Sequence, residues 1–334
     1  MRNLVCLNRG RITPTSTTAP DLPVQNACFD PVNDSITVVL GPNKEFGNVL
    51  EVQQFQRNGQ VQILASFPCS EGELISFVHF ADSNQLVFII SNGDIITATY
   101  DGFNEIIDPD QTIVEIVGSI DSGLQAASWS SDEETLVLVT NSHTVILLSR
   151  LFEPIAESTL QESDSNLSNH VDVGWGSKET QFKGKGAKAL ERDLIQKLDL
   201  ERDEFKKDPT MPLYVDQGEL SQFDSNLAEI SWRFDCEFFA ISTIDKINNV
   251  DRRMIRIFTR DGVLQNVSEP VDGLENHLSW GNLISSIQRR EESLDLVFFE
   301  RNGLRHGDFD TRLQLNSKID KILWNSTNEI LAIL

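Results

Sequence analysis

Short apolar runs alternate with polar turns along the whole chain. Runs of β-branched and aromatic residues occupy 86–90, 136–139, 144–148 and 296–299, and each is shorter than an average helix. Asn-Gly or Asp-Gly pairs interrupt such runs, and these residues tolerate the positive φ of a type I′ turn. The pattern therefore predicts antiparallel strands joined by hairpins at four pairs: Asn58-Gly59, Asn92-Gly93, Asp261-Gly262 and Asn302-Gly303.

One pattern recurs at a fixed interval: an apolar stretch that ends in an aromatic residue, a polar turn, then a new apolar strand. The segments around Trp129, Trp232 and Trp324 show it most clearly. A period just under fifty residues with several strands per period is typical of β-propeller blades. The aromatic residue is expected to end the innermost strand and to pack between blades. Seven such anchors predict seven blades: Phe29, Phe80, Trp129, Trp175, Trp232, Trp280 and Trp324.

The last predicted blade is incomplete. Only one further strand, 330–334, follows Trp324, whereas a blade needs about four strands. A spare strand at residues 3–7 is expected to complete that blade and close the ring, and one strand would still be missing. We therefore expect residues 1–334 to form a first, incomplete propeller in the N-terminal part of a longer chain.

An insertion at residues 183–207 interrupts the repeat in the predicted fourth blade. Leu190, Leu194 and Leu198 recur every four residues among good helix formers, which predicts a helix. The prolines at 209 and 212 end it. The fold class predicted from the sequence is therefore all-β, a seven-bladed propeller with one helical insertion.

The charge of the chain limits its partners. With 28 Lys and Arg against 51 Asp and Glu among 334 residues, the net charge is −23. Duplex binding needs cations that displace counterions from phosphates, so the chain by itself is a poor nucleic-acid binder. No apolar run approaches the roughly 18 residues of a membrane-spanning helix. The four cysteines form no CxxC pair, as expected of buried thiols in a reducing compartment.

Motif searches in the sequence find no catalytic constellation, so the chain is predicted not to be an enzyme. The five histidines are scattered, and no HExxH, GxSxG or P-loop spacing occurs. Concentrated positive charge occurs only between 178 and 207, mixed there with acidic residues. A solvated helix with i,i+4 ion pairs explains that charge, and so does a docking surface for a partner protein or RNA. The candidate partner-binding residues are Lys183, Lys185, Lys188 and Arg192.

Several segments resemble the N-terminal WD40-type propeller of the largest subunit of the Elongator complex, the family also called IKAP. Two are the most distinctive: Val173-Gly174-Trp175-Gly176 with 178–186, and 298–307. Further matching segments lie at 1–4, 51–55, 76–82, 93–98, 129–136 and 151–154. The resemblance spans the chain from Met1 to Leu334.

The resemblance implies a non-catalytic scaffold required for C5 modification of the wobble uridine in tRNA anticodons. The catalytic radical-SAM and acetyltransferase chemistry belongs to another subunit, so no cofactor is implied for this chain. Implied partners are that catalytic subunit and a second propeller subunit, with tRNA contacted only through the complex. Dimerisation of the full-length protein is implied through regions beyond residue 334. The implied location is cytoplasmic, and also nuclear, with no membrane association.

Two other functions fit a propeller. A vesicle-coat or trafficking scaffold also places a propeller before a helical solenoid, but the segment 174–186 matches the Elongator family instead. An enzyme with a site in the central channel would show His, Asp or Glu side chains converging from several blades.

Overall fold

A computed structural model describes residues 11–15, 22–30, 32–43, 48–102, 107–167, 216–247 and 249–334. The chain divides into two compact units. Unit 1 comprises 1–129 with 133–154, and unit 2 comprises 130–132 with 155–334. Within unit 1, one 3-10 helix spans Pro109–Gln111. A second 3-10 helix, Glu162–Asn166, lies in unit 2.

Three antiparallel sheets of four strands come first in the chain, and neighbouring strands in sequence are neighbours in each sheet. The first contains β1 (Val24–Asp30), β2 (Ser35–Leu40), β3 (Val49–Gln56) and β4 (Val61–Pro68). The second contains β5 (Leu74–Phe80), β6 (Gln85–Ile90), β7 (Asp94–Thr99) and β8 (Ile113–Ser119). The third contains β9 (Leu124–Trp129), β10 (Thr135–Thr140), β11 (Thr144–Ser149) and β12 (Pro154–Thr159).

Three more sheets follow in unit 2 with the same meander order. The fourth contains β13 (Glu229–Trp232), β14 (Phe238–Ile247), β15 (Val250–Thr259) and β16 (Leu264–Val267). The fifth contains β17 (Leu274–Trp280), β18 (Ile284–Arg289), β19 (Leu294–Phe299) and β20 (Arg305–Asp310). The last described sheet contains β21 (Ile322–Trp324) and β22 (Leu331–Ile333).

The central strands of the sheets are largely buried on both faces. All six residues of β10 are buried, and so are all six of β18. Such strands show no alternation of apolar and polar residues: β10 is a nearly continuous apolar run, while β18 also buries Ser, Gln and Arg side chains. In unit 1 the first strands of adjacent sheets also contact each other, β1 with β5 and β5 with β9. The core of each unit therefore lies between neighbouring sheets.

The predicted aromatic anchors mark the same place in every described sheet, the end of its first strand. Five are the last residue of that strand and Phe29 is the second to last. The ring of Phe80 packs edge-on against Trp129 with centroids 5.0 Å apart, as expected of anchors between adjacent sheets. Phe29 departs from the expected burial, since it is 62% exposed.

Serine residues before the anchors tie adjacent sheets of unit 2 together. The hydroxyl of Ser231 accepts a hydrogen bond of 2.9 Å from the backbone N–H of Trp280. The hydroxyl of Ser279 accepts one of 3.0 Å from the N–H of Trp324. The same bond from a backbone N–H to a serine hydroxyl therefore joins β13 to β17 and β17 to β21. The serine that precedes Trp232 and the one that precedes Trp280 thus help to hold neighbouring sheets together.

All four predicted hairpins are confirmed, but their turn type differs from the prediction. Each glycine has positive φ, between 80° and 108°, whereas the preceding Asn or Asp does not. The glycine N–H bonds back to the carbonyl three residues earlier, as from Gly59 to Gln56 and from Gly303 to Glu300. These are type I turns followed by a left-handed glycine, the three-residue hairpin loop. The pair identified the hairpin, while the length of the loop selected the turn.

Several predicted features lie outside the described residues: the anchor Trp175, the strand at 3–7 and the helix at 183–207. The predicted number of seven blades therefore stays a prediction. The described strands form five four-stranded sheets and one two-stranded sheet, and the last sheet holds the strand expected after Trp324.

Candidate functional sites

The four residues predicted to bind a partner, Lys183, Lys185, Lys188 and Arg192, lie outside the described residues. Clusters of charged, polar or exposed apolar side chains form five features of the described residues: buried arginines, a Glu–His pair, an open polar cavity, a buried polar cluster around His79 and an apolar edge strand. No group of three or more His, Cys, Asp or Glu side chains placed to bind a metal ion occurs among the described residues.

Buried arginines in unit 2 are each matched to carboxylates. Arg253 on β15 forms a bidentate pair with Asp224, with distances of 2.5 Å from Nε and 2.6 Å from Nη2. Its Nη1 donates to the carbonyl of Leu227 and the hydroxyl of Ser242, both at 3.1 Å. A charge taken out of water is tolerated when it is paired and hydrogen-bonded in this way. Arg253 therefore fastens the loop before β13 onto the sheet.

Two further arginines do the same for other connections. Arg256 pairs with Asp164 at 3.0 Å and Asp245 at 2.6 Å, which ties the 3-10 helix Glu162–Asn166 to β14 and β15. Arg289 pairs with Glu275 at 2.5 Å, and its Nη2 donates to the carbonyl of Ser317 at 2.9 Å. These groups are occupied by structural contacts, so they offer no free charge for chemistry.

A Glu–His pair lies where the first strands of the fourth and fifth sheets adjoin. Nδ1 of His277 is 3.9 Å from a carboxylate oxygen of Glu229, too far for a hydrogen bond. Burial raises the pKa of Glu229 to about 7, against the smaller opposing effects of Lys321 and a backbone hydrogen bond from Leu278. Burial likewise lowers the pKa of His277. A carboxyl group that titrates near neutrality next to a neutral imidazole is a candidate acid–base pair.

An open cavity of about 990 Å³ in unit 2 has charged side chains at half of its lining positions. Its floor is built around Asp272, where one carboxylate oxygen accepts three consecutive backbone N–H groups, those of Gln217, Gly218 and Glu219, at 2.5–2.8 Å. Arg305 on its rim pairs with Asp216 at 3.1 Å. Its lining holds five acidic residues and three arginines, so the cavity carries a net negative charge.

A buried polar cluster in unit 1 centres on His79. Its Nδ1 is 3.0 Å from the hydroxyl of Thr37, and its Nε2 is 2.8 Å from the hydroxyl of Tyr100. Burial lowers the pKa of His79 and raises that of Tyr100 to about 12. Both ring nitrogens have partners, so the cluster links β2, β5 and the end of β7 and resembles a structural network more than a reactive one.

Strand β8 in unit 1 exposes an unusual amount of apolar surface. Ile113 and Ile116 are each 63% exposed, and Val114 and Val117 are each 40% exposed. The strand is the last of its sheet and pairs with β7 alone among the described strands. A long apolar edge strand is normally shielded, because its free N–H and C=O groups can pair with another chain.

The stretch of sequence that contains β8 carries charge of one sign. No Lys or Arg occurs between Arg57 and Arg150, although thirteen Asp and Glu lie in that interval. Exposed carboxylates stand on and beside the strand, and they are Asp108, Asp110, Glu115 and Asp121. The apolar strand is therefore set in an anionic surface.

A comparison with protein families identifies the chain. The family model described as the ELP1 first N-terminal β-propeller matches residues 1–334. The chain belongs to this family. The all-β, WD40-type propeller fold inferred from the repeat is thereby confirmed, and so is the resemblance to the largest Elongator subunit.

Relatives in this family carry the same name in distant organisms. The chain is 48% identical to Elongator complex protein 1 of Saccharomyces cerevisiae, over all of this chain and 26% of that protein. It is 32% identical to the Schizosaccharomyces pombe protein of that name, over 93% of this chain and 24% of that protein. The chain thus spans about a quarter of the length of the curated relatives it matches.

Solved structures share the fold of this Elongator-family chain at low sequence identity. Saccharomyces cerevisiae Sqt1 aligns with a TM-score of 0.51 at 10% identity, over 93% of this chain and 67% of that one. A chain of the mitotic checkpoint complex aligns with a TM-score of 0.50 at 10% identity, over 93% and 73%. At this identity the likeness concerns the fold alone.

Two features of this Elongator-family propeller were missed by reasoning from the sequence, and they differ in how visible they were. The interval without Lys or Arg can be read directly from the sequence. The Glu229–His277 pair has no sequence signal, because its members lie on different sheets and 48 positions apart.

No helix among the described residues is long and apolar enough to cross a membrane.

Proposed function

We propose that this chain is the first propeller of a scaffold subunit of the Elongator complex, required for C5 modification of wobble uridine in tRNA anticodons. The match of the family model to all 334 residues carries this proposal. Relatives named Elongator complex protein 1 support membership of a multi-subunit complex. The scaffold works by assembling other subunits, including the catalytic radical-SAM and acetyltransferase subunit and a second propeller subunit.

A non-catalytic role is supported by how the buried charges are used. Arg253, Arg256 and Arg289 hold loops and strands in place through paired carboxylates. Sheets whose buried charges are used for internal ion pairs suit a protein that presents surfaces to partners. The cofactors of the modification reaction are then bound elsewhere in the complex.

Indirect action on tRNA is supported by the charge. A net charge of −23 opposes association with a polyanion, so the RNA-binding surfaces would belong to other parts of the assembly. We expect the isolated segment 1–334 to bind tRNA weakly in a filter-binding assay at physiological salt. Binding in the sub-micromolar range would contradict this part of the proposal.

The insertion at 183–207 is proposed to be a partner-docking helix in the fourth blade. The full-length protein is proposed to continue past the incomplete last blade, to dimerise through its later regions, and to act in the cytoplasm and the nucleus. These statements rest on the family and on the charge pattern of the sequence.

The function is tested by complementation in budding yeast that lacks its own largest Elongator subunit. The full-length protein is expected to copurify with the remaining subunits and to restore wobble-uridine modification, measured by mass spectrometry of digested tRNA. Copurification of coat proteins in their place would favour the trafficking scaffold. Failure to restore modification despite normal assembly would refute the proposed role.

Charge reversal tests the insertion. Changing Lys183, Lys185, Lys188 and Arg192 together to Glu is expected to reduce recovery of the other subunits and wobble-uridine modification. The control reverses two exposed cations elsewhere, Arg57→Glu with Lys318→Glu. Unchanged recovery in the four-residue variant, or equal loss in the control, would contradict the docking role.

A second candidate function, an enzyme, is favoured by one observation. Glu229 and His277 converge from two sheets, and the pKa of Glu229 lies near 7. Glu229→Gln separates the two functions, because a scaffold keeps its activity in the complementation assay and an acid–base catalyst loses it. Loss of modification with intact assembly would favour the enzyme.

A further inference from the structure

We propose that β8 is a docking edge that receives an extended, basic segment of a partner protein as an added strand. The inference stands on the geometry and charge of unit 1 and does not depend on which assembly the chain joins. An added strand gains affinity from main-chain hydrogen bonds and specificity from side chains that alternate between the two faces.

The backbone of β8 is available for such pairing. Residues Ile113 to Ser119 pair with β7 on one side, and the other side of the strand is the end of the sheet. The outermost strand of the first sheet is treated differently: the 3-10 helix Pro109–Gln111 contacts β4, and Thr112 donates to the carbonyl of Leu64 at 2.8 Å. The segment that leads into β8 thus covers the neighbouring edge and leaves β8 open.

The side chains of β8 set it apart from the other outermost strands. Four large aliphatic residues in succession around Glu115 are exposed, on both faces of the strand. By contrast, three other described outermost strands each expose a single large apolar side chain: Val61 on β4, Ile155 on β12 and Phe309 on β20. Charged side chains are a usual protection of an edge, and β8 has a single one. The exposure of its apolar surface to water is therefore unfavourable unless a partner covers it.

The far end of β8 is held in place before any partner binds. One carboxylate oxygen of Asp94 accepts the hydroxyl of Ser119 at 2.8 Å, and the other accepts Ser70 at 2.6 Å and Asn92 at 2.8 Å. A rigid edge loses little conformational entropy when a strand is added, which favours binding.

Charge decides the kind of occupant. The carboxylates of Asp108, Asp110, Glu115 and Asp121 are exposed, and the nearest cations in sequence, Arg57 and Arg150, already pair with Asp34 and Asp82. A segment rich in Lys or Arg complements this surface. A second copy of the chain would bring the same carboxylates together, and RNA would bring phosphates, so both are repelled.

The test uses synthetic peptides and the full-length chain. The probe is a seven-residue peptide, the length of β8, with valine at alternate positions and lysine between them. One comparison peptide has glutamate in place of lysine, and another has the lysine sequence with N-methyl groups on alternate backbone nitrogens. Fluorescence anisotropy is expected to show binding of the lysine peptide at least about tenfold tighter than of either comparison peptide.

Paired substitutions locate the site. Ile113→Thr with Ile116→Thr keeps β-branched side chains at exposed positions, so the fold is expected to survive while affinity for the lysine peptide falls by about tenfold. The matched control is Ile155→Thr on the outermost strand β12, which should leave affinity unchanged. Equal binding of the N-methylated peptide, or equal loss in the control, would overturn the proposal.

A photo-crosslinker at position 113 of the full-length chain in cells identifies the natural occupant, with the same group at position 155 as the control. Recovery of a basic, extended protein segment at 113 and not at 155 supports the proposal. A crosslink to RNA, to a second copy of the chain, to an acidic segment or to nothing would overturn it.

Discussion

Asp224 provides the sharpest test of how unit 2 is held together. Its carboxylate pairs with Arg253 through two hydrogen bonds of 2.5 and 2.6 Å, and the two side chains are only 2% and 1% exposed. It also accepts the backbone N–H of Asn226 at 2.7 Å. Asp224→Ala would leave the Arg253 guanidinium buried without its counter-charge and would release the loop before β13.

The magnitude follows from that burial. Removing one partner of a buried ion pair costs about 3–5 kcal/mol, because the remaining charge keeps its desolvation penalty. For a folding unit of this size each kcal/mol lowers the melting temperature by about 2–4 °C. We therefore expect the melting temperature of unit 2 to fall by roughly 6–20 °C.

Thermal unfolding followed by tryptophan fluorescence measures this shift, since Trp232, Trp280 and Trp324 all lie in unit 2. Arg57→Ala removes an exposed pair with Asp34 and should cost no more than about 1 kcal/mol. Adding Arg253→Met to Asp224→Ala removes both charges and should recover much of the loss. If Asp224→Ala costs no more than Arg57→Ala, the buried pair does not hold the loop and the reasoning is refuted.

Three further predictions concern single positions. The pKa of Glu229 is about 7 in the native state and 4.5 in the unfolded state. Between these two pH values the native state holds a proton on this carboxyl that the unfolded state has lost. The free energy of unfolding therefore falls as pH rises from 4.5 to 7, by at most about 3 kcal/mol. Glu229→Gln should raise the urea midpoint at pH 8 but not at pH 4.5, and an equal effect at both would contradict this. Gly281→Ala would place a Cβ 2.7 Å from the Trp324 ring, so it should cost about 1–3 kcal/mol and shift tryptophan emission, while Gly307→Ala, with open space around it, should be silent. Burial raises the pKa of the Cys28 thiol to about 12, so iodoacetamide at pH 8 should label it only after unfolding, and rapid labelling of the native protein would show the thiol to be accessible.

The repeat was readable from the sequence because each blade solves the same packing problem. An aromatic residue at the end of the first strand fills the space beside the next sheet, so anchors of adjacent sheets lie at similar intervals, 49 residues from Phe80 to Trp129 and 48 from Trp232 to Trp280. Local chemistry also marked the hairpins, since a left-handed residue at the turn favours glycine. Phe29 shows the limit of this reasoning, because burial depends on a neighbour that its own sequence does not specify.

Composition and the order of strands could be taken from the sequence itself. Hydrophobic spacing and turn residues act locally along the chain, and net charge is a sum over residues. The sequence therefore determined the all-β repeat, the net charge of −23 and the stretch without Lys or Arg. Which carboxylate lies beside which basic side chain was decided only by the tertiary structure, as for Asp224 with Arg253 and for Glu229 near His277. The exposure of β8 was decided there too: its residues read as an ordinary strand, and only its place at the end of a sheet leaves four aliphatic side chains in water.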